Sequence, residues 1–148
     1  MNKNFKVVCF ETRPLFQGRK TAKKLSQAKI KVILTVDSAM TEAFDEFKPD
    51  LAIVGCDAIT DKVFANKIGT DTLANLFKRH KKPFYVCSET YKFTNDLIIE
   101  HRSSCEVWNN APNNIEIWNP AFDVTDKKLV TGFITEKGIK KKINKSEW

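Results

Sequence analysis

The chain has 148 residues, of which 42% are apolar and 29% are charged, and this balance is typical of a folded globular domain rather than a disordered chain. No apolar run approaches the ~20 residues that cross a bilayer, and residues 1–11 carry no secretion signal, so we expect no membrane association and a cytoplasmic location. The formal net charge of +7 admits an anionic ligand, an acidic protein or nucleic acid as a partner.

Short apolar runs alternate with segments of helical periodicity, a pattern that predicts an α/β fold with a mostly parallel sheet. The runs that predict strands are residues 5–10, 31–36, 51–55, 84–87 and 130–135. The segments that predict helices are residues 21–28, 39–47, 70–81 and 95–102. We find no linker or internal repeat, and a chain of this length needs only one core, so we predict one domain over residues 1–148.

The cysteines and the basic residues narrow the choice of partners. Cys9, Cys56, Cys87 and Cys105 form no CxxC pair, and we expect them to be reduced core residues rather than metal ligands.

The chain has 21 lysines against 4 arginines, and arginine is the usual bidentate reader of bases and phosphates, so nucleic acid is disfavoured as a partner. A lysine cluster at residues 137–145 keeps RNA or ribosome binding as the lowest-ranked hypothesis.

Polar residues follow the predicted strands at their carboxyl ends, which is the edge where open parallel sheets bind ligands. These residues are, in chain order, Arg13, Gln17, Asp37, Asp57 and Lys92. Asp37 is equally well explained as the N-cap of the next helix, and Arg13 as a turn residue in water. Asp57 is either capped by backbone amides or held with a raised pKa for chemistry.

A further candidate site lies at the start of the helix predicted over residues 70–81. Gly69 would let a ligand approach the free amides of the first turn, and Lys67 adds a positive charge, so a phosphate would be well held there. The chain contains neither a GxGxxG nor a P-loop motif. A dinucleotide or P-loop nucleotide site is therefore disfavoured, and no cofactor is expected.

A series of short motifs spans nearly the whole chain. They are Glu11-Thr12-Arg13-Pro14 with Gln17-Gly18-Arg19, Thr35-Val36-Asp37-Ser38-Ala39, Val54-Gly55-Cys56-Asp57-Ala58-Ile59, Asn66-Lys67-Ile68-Gly69-Thr70, Pro83-Phe84-Tyr85-Val86, Ser88-Glu89-Thr90-Tyr91-Lys92-Phe93, Asn119-Pro120-Ala121-Phe122-Asp123 and Gly132-Phe133-Ile134-Thr135-Glu136. In this order and spacing the chain resembles the C-terminal domain shared by methylthioribose-1-phosphate isomerase, archaeal ribose-1,5-bisphosphate isomerase and the α, β and δ subunits of translation initiation factor 2B. The resemblance implies a Rossmann-like three-layer sandwich.

The resemblance also implies roles for particular residues. Asp57 matches the catalytic aspartate of the isomerases. The substrate-binding positions of the family are matched by Gln17, Asn66, Lys67 and Lys92, to which we add Arg13. These residue types suit an aldose-ketose isomerisation, which needs an acid-base carboxylate in a dry pocket, lysines for phosphate and an amide for sugar hydroxyls.

Two functions remain open. The resemblance implies that the family's enzymes are longer, because a helical N-terminal half supplies phosphate contacts and a catalytic cysteine. We expect this half to be absent here. The loop over residues 57–66 is also shorter than usual and lacks a glycine. The first hypothesis is therefore a sugar-phosphate-binding domain that isomerises its ligand only with an N-terminal helical partner. The alternative is a non-catalytic initiation factor 2B-like subunit that senses a sugar phosphate or nucleotide and acts in translation through protein contacts. Because family members dimerise through this domain, we expect a homodimer or a hetero-oligomer.

Overall fold

The computed structural model describes residues 4–141. The chain folds into two compact units: the first comprises Met1–Lys48 with Ser103–Trp118, and the second comprises Pro49–Arg102 with Asn119–Trp148. The end of the predicted lysine cluster, residues 142–145, lies outside the described residues. Among residues 4–141, no helix is long and apolar enough to cross a membrane.

The first unit is built on a βαβ arrangement. Its elements are strand β1 (Lys6–Phe10), helix α1 (Gln17–Gln27) and strand β2 (Lys31–Thr35). β1 and β2 pair in parallel along their whole length, which confirms the predicted strands and their direction. α1 begins at Gln17, earlier than the predicted residue 21. The apolar pattern did not predict this first turn, because its buried residue is Gly18, which has no apolar side chain.

A second helix completes the regular part of this unit. A 3₁₀-helix at Asp37–Ala39 leads into helix α2 (Met40–Phe47), which buries Ala43 and Phe44 as the apolar spacing predicts. The helix ends where Lys48 adopts a left-handed φ of 43° and its N–H donates to the Phe44 carbonyl. This backbone conformation satisfies a carbonyl that the end of a helix otherwise leaves unpaired.

The second unit holds two sheets and helix α3 (Thr70–Arg79). Its strands are β3 (Ala52–Val54), β4 (Ala58–Ile59), β5 (Val63–Lys67), β6 (Phe84–Cys87), β7 (Phe122–Asp126), β8 (Gly132–Thr135) and β9 (Gly138–Lys140). The first sheet has the order β3-β6-β8-β9 and is parallel except for the antiparallel β8–β9 pair. The second sheet has the order β4-β5-β7 and is antiparallel throughout.

Aromatic side chains form the core of the second unit. Phe64, Phe84 and Phe133 are fully buried, one from each of β5, β6 and β8. The Phe64 and Phe133 rings meet edge to face with centroids 6.4 Å apart, and Phe77 of α3 meets Phe84 with centroids 6.3 Å apart. These contacts join α3 and the antiparallel sheet to the mostly parallel sheet through one packed layer.

The helix predicted over residues 95–102 is wrong, because the structure has no helix there. Leu97, Ile98 and Ile99 are consecutive, so they cannot share one face of a helix, and Ile98 is 85% exposed. The Thr94 hydroxyl accepts a hydrogen bond from the Asp96 N–H and donates one to the Asp96 carbonyl. Local bonds of this kind compete with the hydrogen bonds of a helix.

The antiparallel sheet was missed at the sequence level. Residues 57–66 were predicted as a loop, whereas most of them form the β4–β5 hairpin. The strand that completes this sheet, β7, comes from a motif to which no element was assigned. The α/β class is confirmed, and the three-layer Rossmann-like arrangement stays a prediction.

Candidate functional site

Asp57 lies in the short turn between β3 and β4. Its backbone N–H donates to the Ala65 carbonyl at 2.9 Å, which fixes the turn against β5. The residue is exposed, so residues 4–141 do not enclose this carboxylate in the dry pocket that the isomerisation needs. No hydrogen bond among residues 4–141 ends on the carboxylate, so the capping interpretation is not observed either, and the group is available to a ligand.

Lys92 is distant in sequence from Asp57, but its side chain contacts the same turn. It ends a 3₁₀-helix at Thr90–Lys92, and its Nζ donates to the Cys56 carbonyl at 2.7 Å. Glu89 Oε2 lies 3.6 Å from the same Nζ and accepts a hydrogen bond from the Tyr91 hydroxyl at 2.7 Å. The ammonium group is therefore held beside the peptide that precedes Asp57.

Cys56 is a structural thiol at the base of this turn. It is 3% exposed, and its Sγ donates to the Ala58 carbonyl at 3.3 Å. Burial raises the pKa of the Cys56 thiol; the Ser88 side chain and the Lys92 charge oppose that shift, and the Asp57 charge adds to it. The thiol is thus protonated at neutral pH, in agreement with its prediction as a reduced core residue.

The other cysteines agree only partly with the prediction. All four are free, and Cys9 is buried like Cys56, whereas Cys87 and Cys105 are exposed. Cys87 is the last residue of β6, and its side chain follows the buried Val86 in the alternating pattern of the strand. Its assignment to the core is therefore wrong, because an apolar run does not show which of its residues faces the interior.

Asn66 lies next to the turn that carries Asp57. Its Oδ1 is 3.4 Å from the position that a Cβ on Gly55 would take, and its Nδ2 donates to the Thr70 hydroxyl at 2.9 Å. Lys67 follows Asn66 in β5, so its side chain leaves the opposite face of the strand. The Lys67 Nζ lies 5.7 Å from the centre of the Phe122 ring.

The start of α3 does not present free amides to a phosphate. Gly69 has the left-handed φ of 96° that its position before the helix requires. However, Asp123 Oδ2 accepts hydrogen bonds from the N–H groups of Gly69 at 2.8 Å and Asp71 at 3.1 Å. The prediction of a phosphate at these amides is therefore wrong, because a carboxylate of the chain itself already binds them. Sequence reasoning missed Asp123 because it lies more than fifty residues away from the helix that it caps.

Arg13 and Gln17 belong to the first unit. Asp37 does not cap the helix that follows it; its two oxygens accept from the N–H groups of Thr12 at 2.8 Å and Arg13 at 2.7 Å. The Arg13 guanidinium donates to the Val107 carbonyl at 3.1 Å and lies 5.1 Å from the centre of the Phe16 ring. Gln17 is exposed at the first position of α1.

Replacing Asp37 by alanine is expected to lower the free energy of unfolding by about 2 kcal/mol, because two N–H groups lose a charged acceptor. Urea unfolding followed by circular dichroism measures the change. Asp45→Ala, which removes an exposed carboxylate from α2 in the same unit, is the control and is expected to stay within about 0.5 kcal/mol of wild type. Equal losses in the two variants would contradict the role assigned to Asp37.

The second unit also contains an open cavity of about 520 Å³, lined by residues 60–63 and 93–97. None of the predicted site residues lines it. Among residues 4–141, no group of three His, Cys, Asp or Glu side chains is placed to hold a metal ion. Asp57 belongs to the turn at residues 55–57, Lys92 bonds to this turn and Asn66 lies next to it, so the three residues are the candidates for a ligand site in this unit.

Comparison with known proteins supports one family. Residues 1–142 match the family model described as the initiation factor 2 subunit family. A methylthioribose-1-phosphate isomerase of Symbiobacterium thermophilum is 41% identical over 150 residues, which cover 92% of this chain and 42% of that protein. A ribose 1,5-bisphosphate isomerase of Thermococcus kodakarensis is 41% identical over 149 residues, which cover 93% and 46% of the two chains.

A solved structure agrees with these sequence matches. The crystal structure of the translation initiation factor eIF-2B, subunit delta, from A. fulgidus is similar with a TM-score of 0.84 and 37% identity, over 90% of this chain and 43% of that chain. The chain thus spans about half the length of the relatives it matches. The resemblance inferred from the short motifs is confirmed by the match over residues 1–142, and the chain belongs to the initiation factor 2 subunit family.

Proposed function

We propose that this chain binds a sugar phosphate at the turn that carries Asp57, and that it takes part in aldose-ketose isomerisation. The observation that supports this most is the 2.7 Å hydrogen bond from Lys92 Nζ to the carbonyl of Cys56. It holds a cation beside the peptide that precedes the exposed Asp57, and the Asn66 amide lies next to the same turn. A phosphorylated sugar needs these three kinds of group.

The chemistry assigns a separate role to each group. An aldose-ketose isomerisation removes a proton from one carbon and returns it to the neighbouring carbon, and the Asp57 carboxylate suits this transfer. Lys92 and Lys67 bind phosphate by charge, and Asn66 binds sugar hydroxyls. Gln17 and Arg13 are proposed as further substrate-binding residues.

The exposure of Asp57 to solvent indicates that further residues are needed for efficient proton transfer. Proton transfer between carbons is most efficient where bulk water is excluded, and an exposed carboxylate does not meet that condition by itself. The isomerase relatives are about twice as long as the part that this chain matches. We therefore propose that catalysis needs residues equivalent to the unmatched part of those relatives, which would cover the site.

The second candidate function is that of a non-catalytic, initiation factor 2B-like subunit that senses the ligand and acts in translation through protein contacts. The similarity to the eIF-2B delta subunit favours it, as does the open position of Asp57. In either role we propose a homodimer or a hetero-oligomer. Exposed aromatic residues such as Trp118, which is 77% exposed, offer apolar surface for such contacts.

Ribose 1,5-bisphosphate is expected to raise the thermal stability of the wild-type chain, because a ligand at about 100 times its Kd adds about 2.7 kcal/mol to the stability of the folded state. Lys92→Met is expected to weaken binding at least about tenfold, since a lost charge-assisted hydrogen bond is worth about 1.5–3 kcal/mol. Lys67→Met tests the second phosphate-binding residue in the same way. Thermal shift measured over a range of ligand concentrations gives the three affinities.

Lys62→Met is the matched control, because Lys62 is an exposed lysine of the same unit, in the loop between β4 and β5. It is expected to bind like wild type. Stabilisation that is equal in wild type, Lys92→Met and Lys67→Met would contradict the proposed site. Stabilisation by nucleoside monophosphates in place of ribose 1,5-bisphosphate would favour the sensing subunit.

A further inference from the structure

The cap of α3 is supplied from a distant strand. Gly69, which precedes the helix, has no side chain to cap it, and the first turn of a helix leaves N–H groups without intrahelical partners. Asp123 of β7 accepts from two of them through Oδ2, at 2.8 Å from Gly69 and 3.1 Å from Asp71. The negative charge also suits the positive end of the helix dipole. One carboxylate thus fixes the start of α3 to the antiparallel sheet.

A short chain of hydrogen bonds connects this cap to Asn66. The Thr70 side chain, in the first turn of α3, is 5% exposed. Its hydroxyl donates to the Lys67 carbonyl at 2.6 Å and accepts from Asn66 Nδ2 at 2.9 Å. Asn66 and Asp123 are also opposite each other in the β5–β7 pairing. The position of the Asn66 amide therefore depends on the position of Thr70, which depends on where α3 begins.

The cap carries costs that a simpler cap would avoid. Asp123 Oδ1 is buried and has no hydrogen-bond partner among residues 4–141. Burial also raises the pKa of the Asp123 carboxyl, against the effect of the Asp71 and Gly69 N–H groups. The left-handed φ of 96° at Gly69 disfavours a side-chain cap at that position, so the cap comes from a buried charge instead. Unsatisfied buried groups are uncommon in native proteins and call for a reason other than stability alone.

The geometry points to Asp123 as a positioning residue that holds the Asn66 amide in place for the sugar phosphate. This inference rests on the proposed function for the identity of the ligand, although the hydrogen-bond relay itself does not. Asp123 touches neither Asp57 nor the ligand in this scheme. It acts by fixing the turn between β5 and α3, which directly follows the end of β5 where Asn66 lies.

The test compares three variants of the full chain. Asp123→Ala removes the acceptor, and Asp123→Asn keeps an oxygen that can accept from the same N–H groups. Asp126→Ala is the matched control: Asp126 lies on the same strand and caps the Lys128 N–H at 2.8 Å, but it faces Val63 at the far end of β5. Two measurements are made, the side-chain amide resonance of Asn66 by nuclear magnetic resonance without ligand, and the Kd of ribose 1,5-bisphosphate by calorimetry.

Asp123→Ala is expected to shift or broaden the Asn66 resonance and to raise the Kd about tenfold, the effect of one lost hydrogen bond to a ligand. Asp123→Asn is expected to restore the wild-type resonance and affinity, and Asp126→Ala to change neither. An unchanged Asn66 resonance in Asp123→Ala, or the same effect in Asp126→Ala, would overturn the inference.

A fourth variant tests the same hydrogen-bond chain in case the Asp123→Ala protein does not fold. Thr70→Val has nearly the same shape, leaves the Asp123 cap in place and breaks the relay one step closer to Asn66. It is expected to move the Asn66 resonance as well, and no movement would overturn the inference. If wild type fails to bind ribose 1,5-bisphosphate, the proposed function fails, while the ligand-free resonance still decides whether Asp123 positions Asn66.

Discussion

Replacing Asp57 by asparagine is expected to lower isomerase activity by about 10²- to 10⁴-fold, the usual contribution of a general acid-base group. Asparagine has the same shape as aspartate, but it cannot take up and return a proton. Activity is measured as conversion of ribose 1,5-bisphosphate by this chain joined to the unmatched N-terminal part of the Thermococcus kodakarensis isomerase. The stability of the folded chain is expected to stay the same, because no hydrogen bond among residues 4–141 ends on this carboxylate.

Asp50→Asn provides the matched control, since Asp50 is an exposed aspartate of the same unit and lies outside the site. It is expected to leave activity unchanged. Full activity of the Asp57→Asn chimera would remove Asp57 from the mechanism. An inactive wild-type chimera would instead count against isomerisation and favour the sensing subunit. Ligand affinity is measured alongside activity, so that a loss of catalysis can be distinguished from a loss of binding. Asp57→Asn is expected to lower catalysis much more than it lowers affinity.

The parallel strands and the helices that contact them could be predicted from the sequence, because buried parallel strands are continuous apolar runs and amphipathic helices have a clear period. Thr70–Arg79 shows this well: its apolar face, which includes Phe77, was evident from spacing alone. The β4–β5 hairpin could not be predicted in this way. β4 is only two residues long, and β5 ends in the polar residues Asn66 and Lys67, so neither strand shows a long apolar or alternating pattern.

The candidate site could be predicted in part. Asp57 and Lys92 were identified as polar residues at strand ends, and the structure brings the Lys92 ammonium to the peptide that precedes Asp57. The exposure of Asp57 and the binding of the α3 amides by Asp123 could not be foreseen, because both depend on contacts between segments far apart in the chain. The helix start illustrates the difference: Gly69 and Lys67 suggest an anion site, and only the structure shows that a carboxylate of the chain already binds there.

Gly18→Ala is expected to destabilise the first unit by about 3 kcal/mol or more, at the upper end of the usual cost of overpacking. A Cβ at this position would lie 1.7 Å from the Phe10 carbonyl oxygen, 2.8 Å from the Phe10 carbonyl carbon and 2.8 Å from the Thr12 hydroxyl. The first two of these atoms belong to the backbone of β1, so relief requires α1 or β1 to move. Helix propensity alone would favour alanine over glycine by about 1 kcal/mol, so a loss of stability reports the close approach itself.

Urea unfolding followed by circular dichroism measures this effect, with Gly55→Ala as the control for the same chemical change. Within the described part of the chain, a Cβ on Gly55 meets only the Asn66 side chain, at 3.4 Å, so the control is expected to stay within about 0.5 kcal/mol of wild type. A Gly18→Ala protein as stable as wild type would show that α1 does not pack this closely on β1.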